Sequence, residues 1–337
     1  MHQRACAAAA FAVSGASRTA GPLCSLASVW RVEEAAHRVN PQFGPEPSAR
    51  LGTTATRPRP AVDEPPAELR FRRRLAPLRS LRDVWHAREL LWALTEREFT
   101  ARYAQTWLGI GWALITPILL MLVFMLFVNR VVNVNTHGAP YALFVYLGLL
   151  PWTFFSSSVS RGGQILVFES SVLNKVRCPR EVFPLSAITV AGYDFALSVF
   201  VLGVLFIITG YQPYTTSIWV PLLLAIQVAF CSGVALGLSV MVVFVRDIGQ
   251  AIPLLLQLGL FATPVAYDVS AIPHQWQPLY AALNPLVGVI EGYRDTILYG
   301  LHPPWRLVIP SAISAVIYLV GGYLLFKKLE PGIADVA

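Results

Sequence analysis

Long stretches without a charged side chain constrain this chain more than any other feature. Residues 108–128 contain no charged residue, and an α-helix of that length spans the ~30 Å hydrocarbon core of a bilayer. Similar stretches cover residues 141–160, 182–210, 217–245, 248–266 and 307–326, with Asp194 as the single charge among them. Only 13% of the residues are charged, against about a quarter in soluble domains. The sequence therefore predicts an all-α membrane protein with six transmembrane helices.

The loops between these stretches carry an uneven distribution of positive charge. Residues 161–184 contain four Lys or Arg, the turn at residue 246 contains one and residues 327–328 add two, whereas residues 211–216 contain none. Basic residues concentrate in cytoplasmic loops, so the basic loops are predicted to be cytoplasmic, together with both termini. The net charge of +7 is then explained by orientation in the membrane, and no nucleic-acid partner is expected.

Two segments precede the first span. Residues 1–79 are rich in Ala, Arg and Pro without an apolar period, which predicts a disordered extension before a membrane domain at 80–337. From a plausible N-cap at Ser80, apolar residues such as Leu91, Trp92 and Tyr103 recur on one stripe, which predicts an amphipathic helix over 80–103. That helix either lies in the cytoplasmic membrane interface or packs on the protein's own cytoplasmic face.

The segment 267–304 is too apolar for a free outer loop and too interrupted for a span. Its helix-breaking residues are Pro273, Pro278, Pro285, Pro303 and Pro304. The pattern predicts two short helices that dip back into the membrane from outside. Glu291 and Arg294 form an i,i+3 pair able to neutralise each other. The segment is interpreted either as an external gate or as a compact outer cap with a structural ion pair.

Several enzyme classes lack their sequence signatures. The three lysines, Lys175, Lys327 and Lys328, do not complete a Walker A motif, so this chain is not expected to bind ATP itself. The six histidines form no HExxH, the four cysteines have no metal-site spacing, and there is no GxSxG. The absence of these signatures predicts no ATPase, hydrolase or metal site in this chain, and no cofactor of its own is expected.

Polar and aromatic residues within the spans are candidates for a substrate pathway. Asp194 lies near the middle of the third span with no basic partner apparent in the sequence, and either a relay or a hydrogen-bonded structural role fits it. Aromatic side chains cluster in the first two spans. They could stack on sugar rings in a wide channel or belong to interface belts, and the sequence does not separate these interpretations.

A set of short motifs carries a family resemblance. These are YAQTWLGIGWALITP at 103–117, YLGLLPWTFF at 146–155, LNKVRCPREVFP at 173–184, VRDI at 245–248, TPVAY at 263–267, Asn284-Pro285 with Tyr293-Arg294, and FKKLEPGIAD at 326–335. In this order and spacing they resemble the ABC-2 type polysaccharide-export permeases, the membrane subunits of O-antigen, capsule, teichoic-acid and galactan exporters. Cys178 departs from the pattern, because the family more often has an aromatic or apolar residue there.

The resemblance implies an assembly and a location. A homodimer of six-span subunits would form a channel in a bacterial plasma membrane, and two copies of a separate P-loop ATPase would supply ATP and Mg²⁺. The substrate would be a lipid-linked glycan. The alternatives are an ABC-2 exporter of a lipid or drug and, more distantly, a membrane enzyme acting on polyprenyl-linked sugars. Such an enzyme should show a catalytic acid pair or a metal-binding DxD, and neither is found.

The resemblance also implies roles for particular positions. The ATPase-coupling helix would comprise Ile165, Phe168, Glu169, Val172, Leu173, Lys175, Val176 and Arg177. The sugar-contacting channel would involve Trp112, Tyr146, Trp152, Phe154, Phe155 and Tyr193. The outer gate would involve Trp276, Tyr280, Asn284, Glu291 and Arg294. Arg97 or Arg102 would hold the lipid diphosphate at the cytoplasmic side.

Overall fold

The computed structural model describes residues 87–103, 107–131, 136, 138–169 and 179–333, and the regular structure of these residues is helical. The α-helices are α1 Arg88–Tyr103, α2 Gly111–Val131, α3 Tyr141–Gly162, α4 Ile165–Phe168, α5 Val182–Thr209, α6 Val220–Phe244, α7 Arg246–Ala262, α8 Gln277–Leu283, α9 Leu286–Ile297 and α10 Trp305–Leu329. Short 3₁₀ turns occupy Thr215–Trp219, Val269–Ala271 and Glu330–Gly332. The predicted extension at 1–79, and the predicted helix start at Ser80, lie outside the described residues.

Four helical segments are long and apolar enough to cross a membrane. They are Tyr141–Phe168, Val182–Thr209, Thr215–Phe244 and Trp305–Gly332. The all-helical membrane fold and these four predicted spans are therefore confirmed. Helices α2 and α7 occupy the other two predicted spans, and their apolar parts are shorter. The apolar part of α2 covers Gly111–Phe127, and the whole of α7 has 17 residues.

Helices α3 and α6 form the centre of the bundle. Most of the apolar stretch of each of these two helices is buried. Helices α5 and α10 bury only a minor share of theirs and present apolar side chains such as Phe200 and Ile317 outward. The largest hydrophobic cluster joins α3, α6 and α9 through Phe144, Leu223 and Ile290. Peripheral helices in a bilayer face lipid, so their outward side chains are expected to be apolar, as they are on α5 and α10.

Helices α6 and α10 pack closely because glycines face each other at their crossing. A Cβ added at Gly322 would overlap the Gly233 carbonyl, and one added at Gly233 would overlap the Tyr318 backbone. Small residues let membrane helices approach until their backbones touch, where van der Waals packing stabilises the pair. This contact holds α10 against the centre of the bundle.

The helix ends at 162, 182, 244 and 329 meet at one end of the bundle, which we call the basic end. Leu166, Phe183 and Phe326 are buried there in one hydrophobic cluster. Lys327 forms ion pairs with Glu181 and Glu330, and the Arg180 Nη1 donates to the Glu330 carbonyl at 2.7 Å. These contacts tie the end of α10 to the start of α5.

Two short helices, α8 and α9, lie in the 267–304 segment at the other end. Asn284 and Pro285 separate them, because a proline ring does not allow the preceding residue to continue the helix. The loop after α5 covers the end of α9: the Tyr211 hydroxyl donates to the Leu298 carbonyl, and the Thr216 hydroxyl donates to the Thr296 carbonyl, both at 2.6 Å. Carbonyls left open at a helix end are satisfied in this way.

Candidate functional site

A cavity of about 380 Å³ lies where α1, α2, α3 and α5 meet. Its size falls within the ~300–1,000 Å³ of typical ligand pockets. The lining combines one acid and one base with hydroxyl and aromatic side chains. The lining residues are Arg102, Tyr103, Trp112, Ala113, Thr116, Pro117, Thr153, Phe154, Ser156, Ser157, Ala191, Asp194, Phe195 and Ser198.

Asp194 is the acid of this cavity and is bound from two sides. It forms an ion pair with Arg102, and the Tyr103 hydroxyl donates to its Oδ1 at 2.6 Å. At 1.5 Å per residue, Asp194 lies about 18 Å along α5 from its first residue, near the middle of that span. The basic partner that the sequence did not reveal comes from the end of α1, and the hydrogen-bonded interpretation of Asp194 fits this arrangement.

Tyr103 acts only as a donor to Asp194 near neutral pH. Burial, reinforced by the hydrogen bond to the Asp194 carboxylate, raises the pKa of Tyr103 to about 12. The phenol proton therefore stays on Tyr103 and lies between the two oxygens. Arg102 and Tyr103 together hold the carboxylate in one position on the cavity wall.

Three hydroxyl groups of the wall donate their protons to carbonyls of their own helices. The Thr116 hydroxyl donates to the Trp112 carbonyl at 2.8 Å, and the Thr153 hydroxyl donates to the Leu150 carbonyl at 3.0 Å. The Ser198 hydroxyl donates to the Asp194 carbonyl at 2.9 Å. Each hydroxyl has a single proton and two lone pairs, so these oxygens can still accept hydrogen bonds. The wall is therefore rich in acceptors.

Of the aromatic residues predicted for a channel, two line the cavity. Trp112 is 47% exposed, and Phe154 packs edge-on against Phe195 with ring centroids 5.4 Å apart. Tyr193 is 37% exposed but faces α1, with its ring 5.6 Å from that of Phe99.

The remaining three aromatic candidates are packed inside the subunit. Tyr146 is fully buried and its hydroxyl donates to the Ser198 carbonyl at 3.0 Å. Trp152 is buried, and Phe155 stacks on Phe230 with centroids 4.9 Å apart. The predicted set thus does not form one continuous belt within this chain, and its role in a channel stays a prediction.

Helix α1 packs on the protein itself, mainly against α5. Its buried face contains Leu94, Thr95 and Tyr103, and Trp92 of the predicted stripe is 60% exposed. The second interpretation of this helix, a helix packed on the protein's own face, describes what is seen.

Ion pairs fix α1 in place along its length. Glu98 pairs with Arg161 on α3, and the Arg97 Nη2 lies 2.8 Å from the Glu169 Oε1 just after α4. Arg102 pairs with Asp194 on α5. Both arginines predicted to bind a lipid diphosphate are therefore engaged by carboxylates of this chain.

The predicted coupling residues fall partly within the described chain. Ile165 is buried in the hydrophobic cluster of the basic end, Phe168 is 65% exposed, and Glu169 bonds to Arg97. The other predicted coupling residues lie outside the described residues; these are Val172, Leu173, Lys175, Val176 and Arg177.

Arg294 is the main anchor of the outer segment and is fully buried. Its Nη2 donates to the Val265 carbonyl at 2.6 Å, and its Nη1 donates to the Tyr267 carbonyl at 3.2 Å and to the Glu291 Oε1 at 2.9 Å. Its guanidinium carbon lies 3.6 Å from the centre of the Phe144 ring. The predicted i,i+3 ion pair is confirmed, and Arg294 joins α9 to α3 and to the loop after α7.

Two of the other predicted gate residues, Asn284 and Tyr280, bond to the end of α7 and the loop after it, whereas Trp276 is exposed. The Asn284 amide donates to the Thr263 hydroxyl at 2.8 Å, and the Tyr280 hydroxyl bonds to the Ala262 carbonyl. Trp276 is 54% exposed. Burial raises the pKa of Glu291, and the Arg294 charge opposes that effect.

Two residues that the sequence reasoning missed lie on α7. Gln250 and Gln257 are both exposed, seven residues apart and therefore on the same face as Leu254 and Phe261. An exposed amide within an apolar helix is unfavourable against lipid, which points to a polar neighbour on that face. The signal was present in the sequence as an i,i+7 glutamine pair.

Comparison with known proteins places the chain in a family. The ABC-2 type transporter family matches residues 89–298. The O-antigen export system permease protein RfbA of Myxococcus xanthus is 31% identical over 77% of this chain and 99% of its own length. RfbA of Klebsiella pneumoniae is 27% identical over 74% of this chain and 95% of its own length. The polysialic acid transport protein KpsM of Escherichia coli is 25% identical over 71% of this chain and 92% of its own length. The chain belongs to the ABC-2 type transporter family of membrane proteins.

Proposed function

We propose that this chain is the transmembrane subunit of an ATP-driven exporter that moves a lipid-linked surface polysaccharide out of the cytoplasm. The observation that carries the proposal is the alignment with polysaccharide-export permeases over nearly their whole length. The polar, aromatic-lined cavity between α1, α2, α3 and α5 is consistent with a hydrophilic substrate.

ATP would be hydrolysed by a partner subunit. The sequence contains no Walker A motif, which supports a P-loop ATPase with its Mg²⁺ as a separate subunit. The exposed Phe168 at the basic end is the proposed contact, together with the coupling residues predicted from the sequence after it. In this proposal the basic end and both termini lie in the cytoplasm, and the protein lies in the inner membrane, as the positive charge of the loops favours.

A second copy of the chain would complete the channel. The exposed glutamine face of α7 and the exposed face of α2, with Leu122 and Leu126, supply the surface. Between two copies the glutamines would face a water-filled pathway, where their amides can form hydrogen bonds. Helices α8 and α9 would close this pathway on the outer side, with Arg294 holding the closed arrangement.

Transport in vesicles tests the function. The chain and its ATPase partner are placed in inside-out membrane vesicles, and a radiolabelled lipid-linked glycan is supplied outside. We expect glycan to accumulate in the lumen only when ATP is present. The matched control is an ATPase partner whose Walker A lysine is replaced. Accumulation that is independent of ATP, or none with ATP, would contradict the proposal.

A further inference from the structure

The cavity between α1, α2, α3 and α5 is electrically balanced. Among the described residues that line it, the only charged side chains are Arg102 and Asp194, and these two form an ion pair with each other. Their side chains are 23% and 18% exposed, so both are largely withdrawn from solvent. A dianionic ligand would find a single cation there, already neutralised by a carboxylate. Binding it would bring its charge close to Asp194 at low dielectric, where like charges repel strongly.

The hydrogen-bonding character of the wall also discriminates between ligands. Thr116, Thr153 and Ser198 have each donated their proton to a helix carbonyl, so what they offer the cavity is lone pairs. Asp194 adds a carboxylate, which is also an acceptor. A phosphate group presents acceptor oxygens and would meet acceptors at these four positions. A polyol presents several O–H donors and matches this wall.

The aromatic side chains complete the match. Trp112 and Phe154 lie on the cavity wall, and Trp112 is about half exposed. The electron-rich face of an indole is complementary to the polarised C–H groups of a pyranose ring. A flat apolar surface beside an acceptor-rich wall is suited to a sugar, which has one C–H face and a rim of hydroxyls.

We propose that this cavity binds a neutral sugar residue of the glycan, and that the lipid diphosphate is bound elsewhere. The proposal rests on the proposed function, because it names which part of that substrate occupies the site. It also revises the prediction for Arg102: this arginine holds Asp194 in position for sugar hydroxyls and does not bind the diphosphate.

Isosteric removal of one acceptor at a time tests the site. Thr116→Val and Thr153→Val keep the side-chain shape and remove one wall oxygen each. Thr189→Val is the matched control, because Thr189 donates to the Leu185 carbonyl in the same way and does not line the cavity. The full chain, with its ATPase partner, is placed in nanodiscs. Two radiolabelled probes are titrated: a polyprenyl diphosphate, and the same lipid carrying a neutral disaccharide.

We expect each cavity variant to bind the disaccharide lipid about two- to tenfold more weakly, the effect of losing one hydrogen bond. Affinity for the bare polyprenyl diphosphate should not change, and Thr189→Val should match the unmodified chain with both probes. Equal weakening with both probes would assign the cavity to the diphosphate and overturn the proposal. Unchanged affinity for both probes would also overturn it.

Transport of the same disaccharide lipid, measured in vesicles for the unmodified chain, distinguishes failure of the proposed function from failure of the proposed sugar site. Absence of ATP-dependent transport would count against the proposed function. Normal transport together with unchanged binding in the variants would count against the sugar site alone.

Discussion

The ion pair between Arg102 and Asp194 gives the most demanding prediction. Asp194→Asn keeps the size of the side chain but leaves Arg102, 23% exposed, without its counter-charge. Arg102→Gln leaves the Asp194 carboxylate near the middle of a membrane-spanning helix. Breaking a fully buried pair by removing one partner costs about 3–5 kcal/mol. Because this pair retains some exposure, we expect each single variant to lose about 2–3 kcal/mol of stability.

The double variant distinguishes charge from shape. Arg102→Gln with Asp194→Asn leaves two neutral amide groups that can hydrogen-bond to each other and to Tyr103. It should be more stable than either single variant, with a coupling energy of about 1–3 kcal/mol. Arg97→Gln is the control, since Arg97 is 45% exposed and its pair with Glu169 should contribute at most about 1 kcal/mol.

The assay is thermal unfolding of the full chain in nanodiscs, followed by tryptophan fluorescence. A loss of about 2–3 kcal/mol should lower the midpoint by roughly 3–5 °C in a chain of this size, because the entropy of unfolding is about 2.1 cal/mol/K per residue. If Asp194→Asn behaves like Arg97→Gln, the pair does not hold α1 on α5. If the effects of the two single variants simply add in the double variant, the two side chains do not interact, and the geometry of the cavity wall described above is wrong.

Three further variants test other parts of the fold. Gly322→Ala should destabilise the α6–α10 contact by about 1–3 kcal/mol in the same unfolding assay, because a Cβ would overlap a backbone carbonyl, whereas Gly321→Ala, with open space, should not. Arg294→Lys should lose about 2–4 kcal/mol, since one ammonium cannot reach carbonyls that a guanidinium reaches with separate nitrogens; wild-type stability would refute its anchoring role. Phe168→Ser should reduce transport-linked ATP hydrolysis by the partner while leaving the unfolding midpoint unchanged. The control is Ile208→Ser, at an exposed apolar residue at the other end of the bundle, which should leave both quantities unchanged.

The helices were predictable because the bilayer imposes a length on them. The predicted stretches 141–160 and 182–210 correspond to helices at Tyr141–Gly162 and Val182–Thr209. Charges and glycines mark their ends: Gly210 has φ of 66°, in the left-handed region that ends a helix without strain. Such signals are local, so a single sequence contains them.

The site was less predictable because it depends on contacts between distant segments. Arg102 and Asp194 are 92 residues apart, and only the docking of α1 onto α5 brings them together. The apolar stripe of α1 favoured Trp92 as a buried residue, but the packed face includes Glu98 and Arg102. These charges are tolerated on that face because Arg161 and Asp194 neutralise them. The spacing of apolar residues along α1 does not show that a distant residue will neutralise a charge on the packed face.

The two ends of the bundle differ in how firmly their segments are held, and this difference bears on how such a protein could move. Arg294, fully buried, fixes the outer segment by bonds to several carbonyls. In the two ion pairs Arg97–Glu169 and Glu98–Arg161, the arginines are 45% and 40% exposed, so water competes for them and breaking these pairs costs little. Elements held by exposed contacts open first when a protein is perturbed. We therefore expect a force applied near Glu169 to break the Arg97 and Glu98 pairs of α1 before it disturbs α8 and α9. Because Arg102 and Tyr103 lie in the last turn of the same helix, a shift of α1 would reach Asp194 in the cavity while the bonds of Arg294 stay intact.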